Sequence, residues 1–205
     1  MQSVDTDAQF VYNENGLRVK KTVNGVVTDY TLHGKNVVHM TRESDELHFF
    51  YDAQNRPAVV AYNGVPYAYV KNLQDDVIAI LDGTGNVVVS YMYDAWGMPI
   101  GKSGSMAETL GTLNPFRYRG YVFDEETGLY YLRSRYYHAS ISRFLCIDRW
   151  LGGTSDGILS HNPLCYCKNS PVMNADADGK FLAAICAAIG ATVVLSLIHI
   201  SEPTR

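Results

Sequence analysis

The side chains of this chain that could do chemistry include four cysteines and six histidines. Cys165, Cys167 and His161 could be read as a metal site, but tetrahedral zinc sites usually have paired ligands at Cys-x2-4-Cys spacing and a fourth partner. We therefore expect the cysteines, including Cys146 and Cys186, to be buried thiols. The histidines have no nucleophile beside them, so we expect no catalytic triad, no metal and no other cofactor; they are His33, His39, His48, His138, His161 and His199.

Two pairs of arginines form a second candidate group, Arg117 with Arg119 and Arg133 with Arg135. They flank residues 124–128, which have the composition of a hairpin turn. Residues two apart on a strand share one face, so each pair should place its guanidinium groups on the same side. Neighbouring tyrosines can satisfy such groups by stacking and cation–π contact. We expect a structural, polar strand face rather than a binding site.

The elements that must position these groups are short β-strands. Seventeen glycines and fifteen tyrosines against two tryptophans favour many short strands joined by glycine turns, because aromatic and β-branched side chains suit a pleated, half-buried surface. With 205 residues, 47% of them hydrophobic, the chain can bury a sizeable core. Its formal charge of −4 and pI near 5.8 provide no electrostatic attraction to nucleic acid. We expect an all-β protein with no nucleic-acid partner.

An internal repeat organises the first half of the chain. Each copy has a tyrosine where a strand should end and an asparagine or aspartate at the entry to the turn; the copies occupy residues 12–18, 51–57 and 93–99. Asn24-Gly25 and Asn63-Gly64 follow the first two copies at the same spacing, and Asn-Gly between β-rich flanks is a strong hairpin signal. An ordinary β-sandwich would also have regularly spaced strands, but the recurring turn residues favour an antiparallel β-hairpin repeat array.

The second half contains four segments with a specific pattern of residues. They are NPFRYRGY at 114–121, DEETGLYYLRSRYY at 124–137, SRFL at 142–145 and NPLCYCKNSPV at 162–172. These segments closely resemble the Rhs-repeat-associated core, and the tyrosine-led copies upstream resemble the YD repeats of the same family. The resemblance covers most of residues 10–180. It identifies a set of structural motif residues: Arg117, Arg119, Gly120, Gly128, Arg133, Arg135, Tyr136 and Arg143.

The resemblance implies a fold and a division of the chain. In that family a β-hairpin strip winds into a hollow shell, and the core domain curls inward as a plug at one end. We therefore expect YD-type repeats at 1–113, the core at 114–180, a short apolar helix opening a hydrophobic region at 181–194, and a non-native tail at 195–205. The tail resembles the translation of a sequencing adapter, and the apolar stretch before it is too short to span a bilayer.

The function implied by the resemblance is structural. The chain would form the encapsulating end of a shell that holds the C-terminal toxin domain of a secreted or cell-surface polymorphic toxin. Its expected partners are its own upstream repeats and that toxin domain, both missing from this sequence, whose first seven residues lack a signal peptide. An alternative is a surface adhesin that binds cell-surface glycans, which requires an outward-facing row of Tyr62, Tyr67, Tyr91, Tyr118 and Tyr136.

The resemblance also implies a third possibility, a self-cleaving aspartyl protease. Several relatives cut themselves just after a second D-P-x-G motif, and the corresponding aspartates here are Asp148 and Asp176, with the cut expected after Gly179. Both prolines and the first glycine of the motif are missing. An aspartic pair must lie within a few ångströms so that one carboxyl is held protonated by the other's charge. The preferred interpretation is a structural role for both aspartates, in turns or salt bridges.

Overall fold

The structure is a computed structural model that describes residues 7–147, 162–176, 179 and 182–184. Its main element is a ten-stranded antiparallel sheet in which each strand pairs with its neighbour in sequence, so the strands form a plain meander. The prediction of an all-β hairpin array is confirmed. The strands are β1 (Ala8–Tyr12), β2 (Arg18–Val23), β3 (Val26–His33), β4 (Asn36–Arg42), β5 (Asp45–Tyr51), β6 (Pro57–Tyr62), β7 (Val65–Lys71), β8 (Val77–Leu81), β9 (Val87–Tyr93) and β10 (Pro99–Ser103).

One type of turn recurs five times along this sheet, each time directly after a strand. An Asn or Asp side chain accepts hydrogen bonds of 2.8–3.0 Å from the backbone N–H groups two and four residues later. The tyrosine-led copies predicted the turns at Asn13, Asp52 and Asp94. The turns at Asn72 and Asp82 have the same hydrogen bonds without a preceding tyrosine. The turn therefore depends on the Asx side chain, which competes for local backbone donors.

The two Asn-Gly pairs close the β2–β3 and β6–β7 hairpins, as predicted. Both residues of each pair have positive φ, 50° and 84° at Asn24-Gly25 and 49° and 83° at Asn63-Gly64. Positive φ at both central positions defines the type I′ turn, whose twist matches that of the flanking strands. The pairing of Val23 with Val26 leaves only these two residues in the first loop.

One face of the sheet is covered and forms a hydrophobic core. Five of its side chains are 0% exposed: Leu47, Val60, Val77, Ile80 and Val89. After the last strand, the short helix α1 (Leu110–Leu113) and Phe116 lie on this face and belong to the same cluster. The opposite face keeps apolar side chains such as Phe50 at 56% exposure. Successive strand residues point to opposite faces, which explains why only one face is buried.

Within the core segment, predicted at 114–180, residues 122–144 form a smaller sheet of four strands in sequence order. These are β11 (Val122–Asp124), β12 (Leu129–Tyr131), β13 (Tyr136–His138) and β14 (Arg143–Phe144). The predicted hairpin around 124–128 is confirmed. The expectation that Arg117 and Arg119 share a strand face is wrong, because Tyr118–Gly120 is a 3-10 turn in which Arg119 has a φ of 56°. A φ of 62° at Arg133 breaks the second pair in the same way.

A third sheet pairs β15 (Asn174–Asp176) with β16 (Leu182–Ala184). The predicted apolar helix at 181–194 is therefore wrong for residues 182–184, and the rest of that range and the tail at 195–205 lie outside the described residues. The backbone hydrogen bonds of the ladder outweigh alanine's weak intrinsic preference for helix. Within the described residues, no helix is long and apolar enough to cross a membrane.

The chain packs very closely against the sheet at Gly104, which follows β10, and a substitution there tests this packing. Its φ is 118°, and a Cβ there would lie 2.3 Å from the Val88 carbonyl oxygen. Because a backbone atom cannot move aside easily, we expect Gly104→Ala to lower the free energy of unfolding by about 2–3 kcal/mol. The matched control is Gly85→Ala, where φ is 88° but a Cβ would meet nothing within 4 Å; it should lose about 1 kcal/mol. Equal losses in urea denaturation would contradict the steric argument.

Candidate functional site

The candidate site is the plug interface, where the core segment lies against the covered face of the ten-stranded sheet. Two hydrogen bonds illustrate the contact. The Tyr69 hydroxyl on β7 donates to Asn114 Oδ1 at 2.6 Å. The backbone N–H of Arg119 donates to Asp76 Oδ1 at 2.9 Å. All four groups are buried, so each polar atom needs such a partner once it is removed from water.

An ion cluster lies in this interface; Arg18, Lys21 and Asp124 are its buried members and Arg42 and Glu126 are half-buried. We call it the buried ion cluster. Arg18 binds the carboxylate of Asp124 in bidentate fashion, with Nη1–Oδ2 at 2.5 Å and Nη2–Oδ1 at 2.9 Å. Lys21 Nζ lies 3.1 Å from Asp124 and 2.8 Å from Glu126. Arg42 contacts Glu126 at 2.6 Å. The cations come from β2 and β4 and the carboxylates from the hairpin of the core segment, so the cluster joins sheet and plug.

Burial makes the electrostatics of this cluster strong. The side chain of Arg18 is 1% exposed and that of Asp124 is 0% exposed. Burial is the largest influence on the pKa of Arg18 and would lower it, but Asp124, Tyr30 and Tyr136 together outweigh burial and the pKa is raised. Burial would raise the pKa of Glu126, but Lys21 and Arg42 lower it overall. Opposite charges at this distance favour the charged forms of Arg18 and Glu126.

Three tyrosines of the core segment bind three successive backbone carbonyls of the third tyrosine-led turn. Tyr118, Tyr137 and Tyr130 donate their hydroxyl hydrogens to the carbonyl oxygens of residues 95, 96 and 97, at 3.0, 2.8 and 2.7 Å. Burial raises the pKa of each of these tyrosines. The hydroxyls therefore remain neutral donors. This contact ties the plug to the last hairpin turn of the sheet.

The first pair of predicted arginines binds two separate places. Arg117 lies over the Tyr91 ring, with its Cζ 4.0 Å from the centroid, and pairs with Glu125 at 3.1 Å. Arg119 donates to the Pro171 carbonyl oxygen and to that of residue 74. Ring and carbonyl partners of this kind suit a planar guanidinium. The two arginines contact different elements, so they fasten different parts of the core segment.

Arg135 connects the last part of the core segment to β13. Its Nη2 lies 2.9 Å from Asp176 Oδ2, and its Nε donates to the Gly179 carbonyl oxygen at 2.5 Å. The Ser134 hydroxyl donates to the same carbonyl oxygen at 2.7 Å. The Asp176 backbone N–H donates to the Tyr121 hydroxyl at 3.1 Å. Asp176 is therefore a buried partner of arginine at the point where the cut was expected.

The remaining motif residues lie in turns and at contacts between strands. Gly120 and Gly128 have φ of 65° and 68°, a conformation that glycine adopts without strain. The Tyr136 hydroxyl lies 2.9 Å from that of Tyr12 on β1. Arg143 forms an isolated backbone bridge to residue 165, and Arg133 reaches an asparagine of β4 at 3.4 Å. These residues connect distant parts of the chain.

The cysteines have different environments. Cys167 is buried, and burial raises the pKa of its thiol to about 12, so it stays a neutral thiol. Cys165 is half-buried, whereas Cys146 is exposed because it lies beyond the end of β14, outside the tyrosine-rich core. The expectation of buried thiols is therefore wrong for Cys146. Cys186 and His161 lie outside the described residues, and among the residues described no three His, Cys, Asp or Glu side chains are grouped to hold a metal.

The tyrosine row required for the adhesin alternative is not present on the surface. Tyr91 and Tyr118 are buried, at 3% and 1% exposure. Tyr62, Tyr67 and Tyr136 are half-buried. Stacking on a glycan needs rings whose faces are open to solvent, and none of these five side chains is exposed. The tyrosines instead pack on the core and on one another.

Sequence reasoning did not single out the charged residues of the sheet. Arg18 and Lys21 lie on β2 with exposures of 3% and 5%, and their only sequence signal was their position on a strand with alternating faces. Their partner Asp124 was assigned to a turn. Asp148, the first predicted catalytic aspartate, lies outside the described residues, so its distance from Asp176 is not defined.

Comparison with protein families matches residues 33–154 to the family described as Teneurin YD-shell. The matched range begins at the end of β3 and runs through the later repeats into the core segment. The chain is also similar to the tRNA3(Ser)-specific nuclease WapA of Bacillus spizizenii and the tRNA nuclease WapA of Bacillus subtilis strain 168, each 41% identical over 179 residues. These matches cover 85% of this chain and 8% of each relative.

Among solved structures, the chain resembles the Photorhabdus luminescens Tc holotoxin pore, with a TM-score of 0.63 and 20% identity. The likeness covers 87% of this chain and 9% of that chain. At this level of identity it shows a shared fold. The chain therefore has the architecture of a small part of much longer proteins.

Proposed function

The chain belongs to the teneurin YD-shell family, and its role is that of a structural shell in polymorphic toxins. We propose that it closes one end of such a shell around a C-terminal toxin domain. The observation that carries the proposal is the seating of the core segment on the covered face of the sheet through the buried ion cluster. Charges buried with their own partners resist separation, because pulling them apart leaves uncompensated charges. A plug held in this way closes the shell in one defined position.

The direction of the chain supports this role. Helix α1 follows the last strand of the sheet and turns the chain back onto the covered face. The core segment therefore runs back across the sheet, from the turn between β9 and β10 to strands β2 and β4. In a longer protein, a domain that follows the core segment would lie on the same side of the sheet as the covered face. We propose that this side is the inside of the shell.

The proposed cargo and location come from the relatives. The WapA proteins are named as tRNA nucleases, which fits a toxin domain as the enclosed part of the longer protein. We propose that the longer protein acts outside the cell that makes it, either secreted or at the surface. The chain's own part would be enclosure, and it would leave the toxic activity to the enclosed domain.

Limited trypsin digestion of the longer protein that carries this chain tests the proposal. We expect its C-terminal domain to survive digestion as long as the plug is seated. The double variant Asp124→Asn, Glu126→Gln removes the carboxylates of the ion cluster and should expose that domain to rapid cleavage.

The control for the digestion is Asp29→Asn, which removes an exposed partner of Lys20 at 3.1 Å. It should leave protection unchanged, since exposed ion pairs contribute little. If the C-terminal domain of the unmutated protein is digested as fast as in the double variant, enclosure is not the function.

A second candidate function is self-cleavage after Gly179. The specific observation in its favour is that two side chains donate hydrogen bonds to the Gly179 carbonyl oxygen, which belongs to the bond expected to be cut. Cleavage there would separate the enclosed domain from the shell without opening it. The intact mass of a longer protein, compared with that of its Asp176→Asn variant, tests it: a single uncut species in the unmutated protein would refute self-cleavage.

A further inference from the structure

We infer that a cavity between the ten-stranded sheet and the core segment binds a small organic anion, a phosphate or carboxylate attached to an apolar group. The cavity has a volume of about 320 Å³, which lies within the range of small-molecule sites in proteins. This site is independent of the proposed enclosure of a domain, because it follows from the walls of the cavity alone.

Both layers of the structure supply the walls of this cavity. The sheet contributes residues near the ends of β3, β5 and β7, and the core segment contributes residues 119–122 and 131–133. An apolar wall is formed by Val77, Phe116 and Leu132, which are all buried. The side open to solvent is marked by exposed polar residues: Lys35, Gln54, Asn55 and Arg56. A ligand with one apolar and one polar end therefore matches the cavity.

The walls carry an excess of positive charge. Among the described residues that line the cavity, Asp75 has the only carboxylate, whereas six side chains are cationic: Arg18, Lys35, Arg56, Lys71, Arg119 and Arg133. Arg18 and Arg56 already have carboxylate partners at 3.0 Å or less. Lys71 and Arg119 have none within that distance in the described part of the chain.

Arg119 has a donor without an acceptor in this wall. Its side chain is 3% exposed, and its Nε has no hydrogen-bond partner within the described residues. Asp76 Oδ1 lies 3.7 Å away, which is beyond hydrogen-bond length. The same carboxylate is already bound by Asn72 Nδ2 at 2.6 Å and by the Arg119 backbone N–H at 2.9 Å. A buried donor on a charged group is costly when it is left unpaired, so an anionic oxygen beside Nε would be stabilising.

Lys71, at the end of β7, has the same deficiency. Its Nζ is buried without a hydrogen-bond acceptor among the described residues, and Asp52 and Asp75 lie 3.8 and 3.9 Å away. Both of these carboxylates are bound at 3.0 Å by Arg56. Burial lowers the pKa of Lys71, and the attraction of the two aspartates does not restore it. A further negative charge is needed to compensate this ammonium group.

A phosphate or carboxylate group suits these donors. Guanidinium groups bind the oxygens of such anions through charge-assisted hydrogen bonds. Arg133 adds a third cation, whose Nη2 donates to a neutral group, Asn36 Oδ1, at 3.4 Å. Lys71 belongs to the sheet, whereas Arg119 and Arg133 belong to the core segment. A bound anion would therefore join the two layers and, by mass action, stabilise the seated plug.

Isothermal titration calorimetry of the purified 205-residue chain with phenyl phosphate tests the site. Phenyl phosphate should bind and should raise the thermal midpoint as its concentration increases. Benzoate has a carboxylate instead, and the tighter of these two probes identifies the anionic group. Phenol lacks the charge and inorganic phosphate lacks the ring, so both should bind more weakly. If neither phenyl phosphate nor benzoate binds at millimolar concentration, or if phenol binds as tightly as they do, the anion site is refuted.

Two variants locate the binding. Lys71→Met keeps the length of the side chain but removes its charge, and Arg133→Gln removes the guanidinium. Each should weaken the binding of phenyl phosphate about tenfold, which corresponds to the loss of one hydrogen bond to a charged group. Lys20→Met is the matched control, because it removes an exposed cation of the same sheet that does not line the cavity, and the affinity should not change.

Unchanged affinity in both Lys71→Met and Arg133→Gln, or an equal loss in Lys20→Met, would place the binding elsewhere and refute the site. If circular dichroism shows that one of the two cavity variants is unfolded, the other decides. A negative result here does not affect the proposed enclosure, which the digestion experiment tests separately.

Discussion

Replacing Asp124 by asparagine is expected to lower the free energy of unfolding by about 3–5 kcal/mol. The side chain is 0% exposed and bridges Arg18 and Lys21 across the plug interface. Asparagine has nearly the same size but no charge, so two buried cations would lose their compensating partner. The desolvation cost already incurred by these cations would remain without the attraction that offsets it. Urea denaturation followed by circular dichroism measures the loss.

The control for this prediction is Asp29→Asn. Asp29 pairs with Lys20 at a similar distance, but the two side chains are 52% and 45% exposed, so the expected loss is below about 1 kcal/mol. Both variants remove one negative charge from the protein, so a difference between them reports the effect of burial and not that of net charge. Similar losses for the two variants would show that the cluster does not hold the plug.

Replacing Phe116 by alanine is expected to destabilise the fold by about 3–5 kcal/mol. Phe116 is 5% exposed and is the first large side chain of the core segment to enter the core of the sheet. Its ring packs edge-on against Phe49, Tyr51 and Tyr69, with centroid distances of 4.9, 6.3 and 6.4 Å. Alanine would leave a cavity that three rigid rings from two strands, β5 and β7, cannot fill. The thermal midpoint and the urea midpoint should both fall.

Phe50→Ala provides the comparison for Phe116. Phe50 lies on β5 next to Phe49 but points to the open face, at 56% exposure. Its loss should cost less than about 1 kcal/mol, the range of a cross-strand contact. A larger effect from Phe50 than from Phe116 would mean that the open face, and not the plug, carries the stability of the sheet.

The turns of this protein could be predicted from the sequence because their interactions are local. Asp52 accepts hydrogen bonds from backbone groups two and four residues later, and Asn24-Gly25 forms its own loop. Such contacts do not depend on the rest of the chain. The recurrence of these turns was enough to indicate a hairpin meander, and the residue pattern of the core segment indicated its family.

The arginine partners could not be predicted in the same way. The spacing of Arg117 and Arg119 predicted a common face only if the chain stayed extended. The left-handed conformation of Arg119, with its backbone N–H bound to Asp76, shows that a residue 43 positions away competes with the local preference. β16 is a similar case, in which pairing with β15 replaced the expected helix.

What the sequence alone determined is therefore the set of turns, the all-β class and the family resemblance, since these follow from contacts within a few residues or from the residue pattern itself. Only the tertiary structure decided which charges meet. Arg18 and Asp124 lie 106 residues apart, and Arg135 and Gly179 lie 44 apart. The physical reason is that a buried ion pair, or a hydrogen bond to a buried backbone carbonyl, requires two distant groups to be buried at one place. The sheet and the plug bring such groups together only after both have folded.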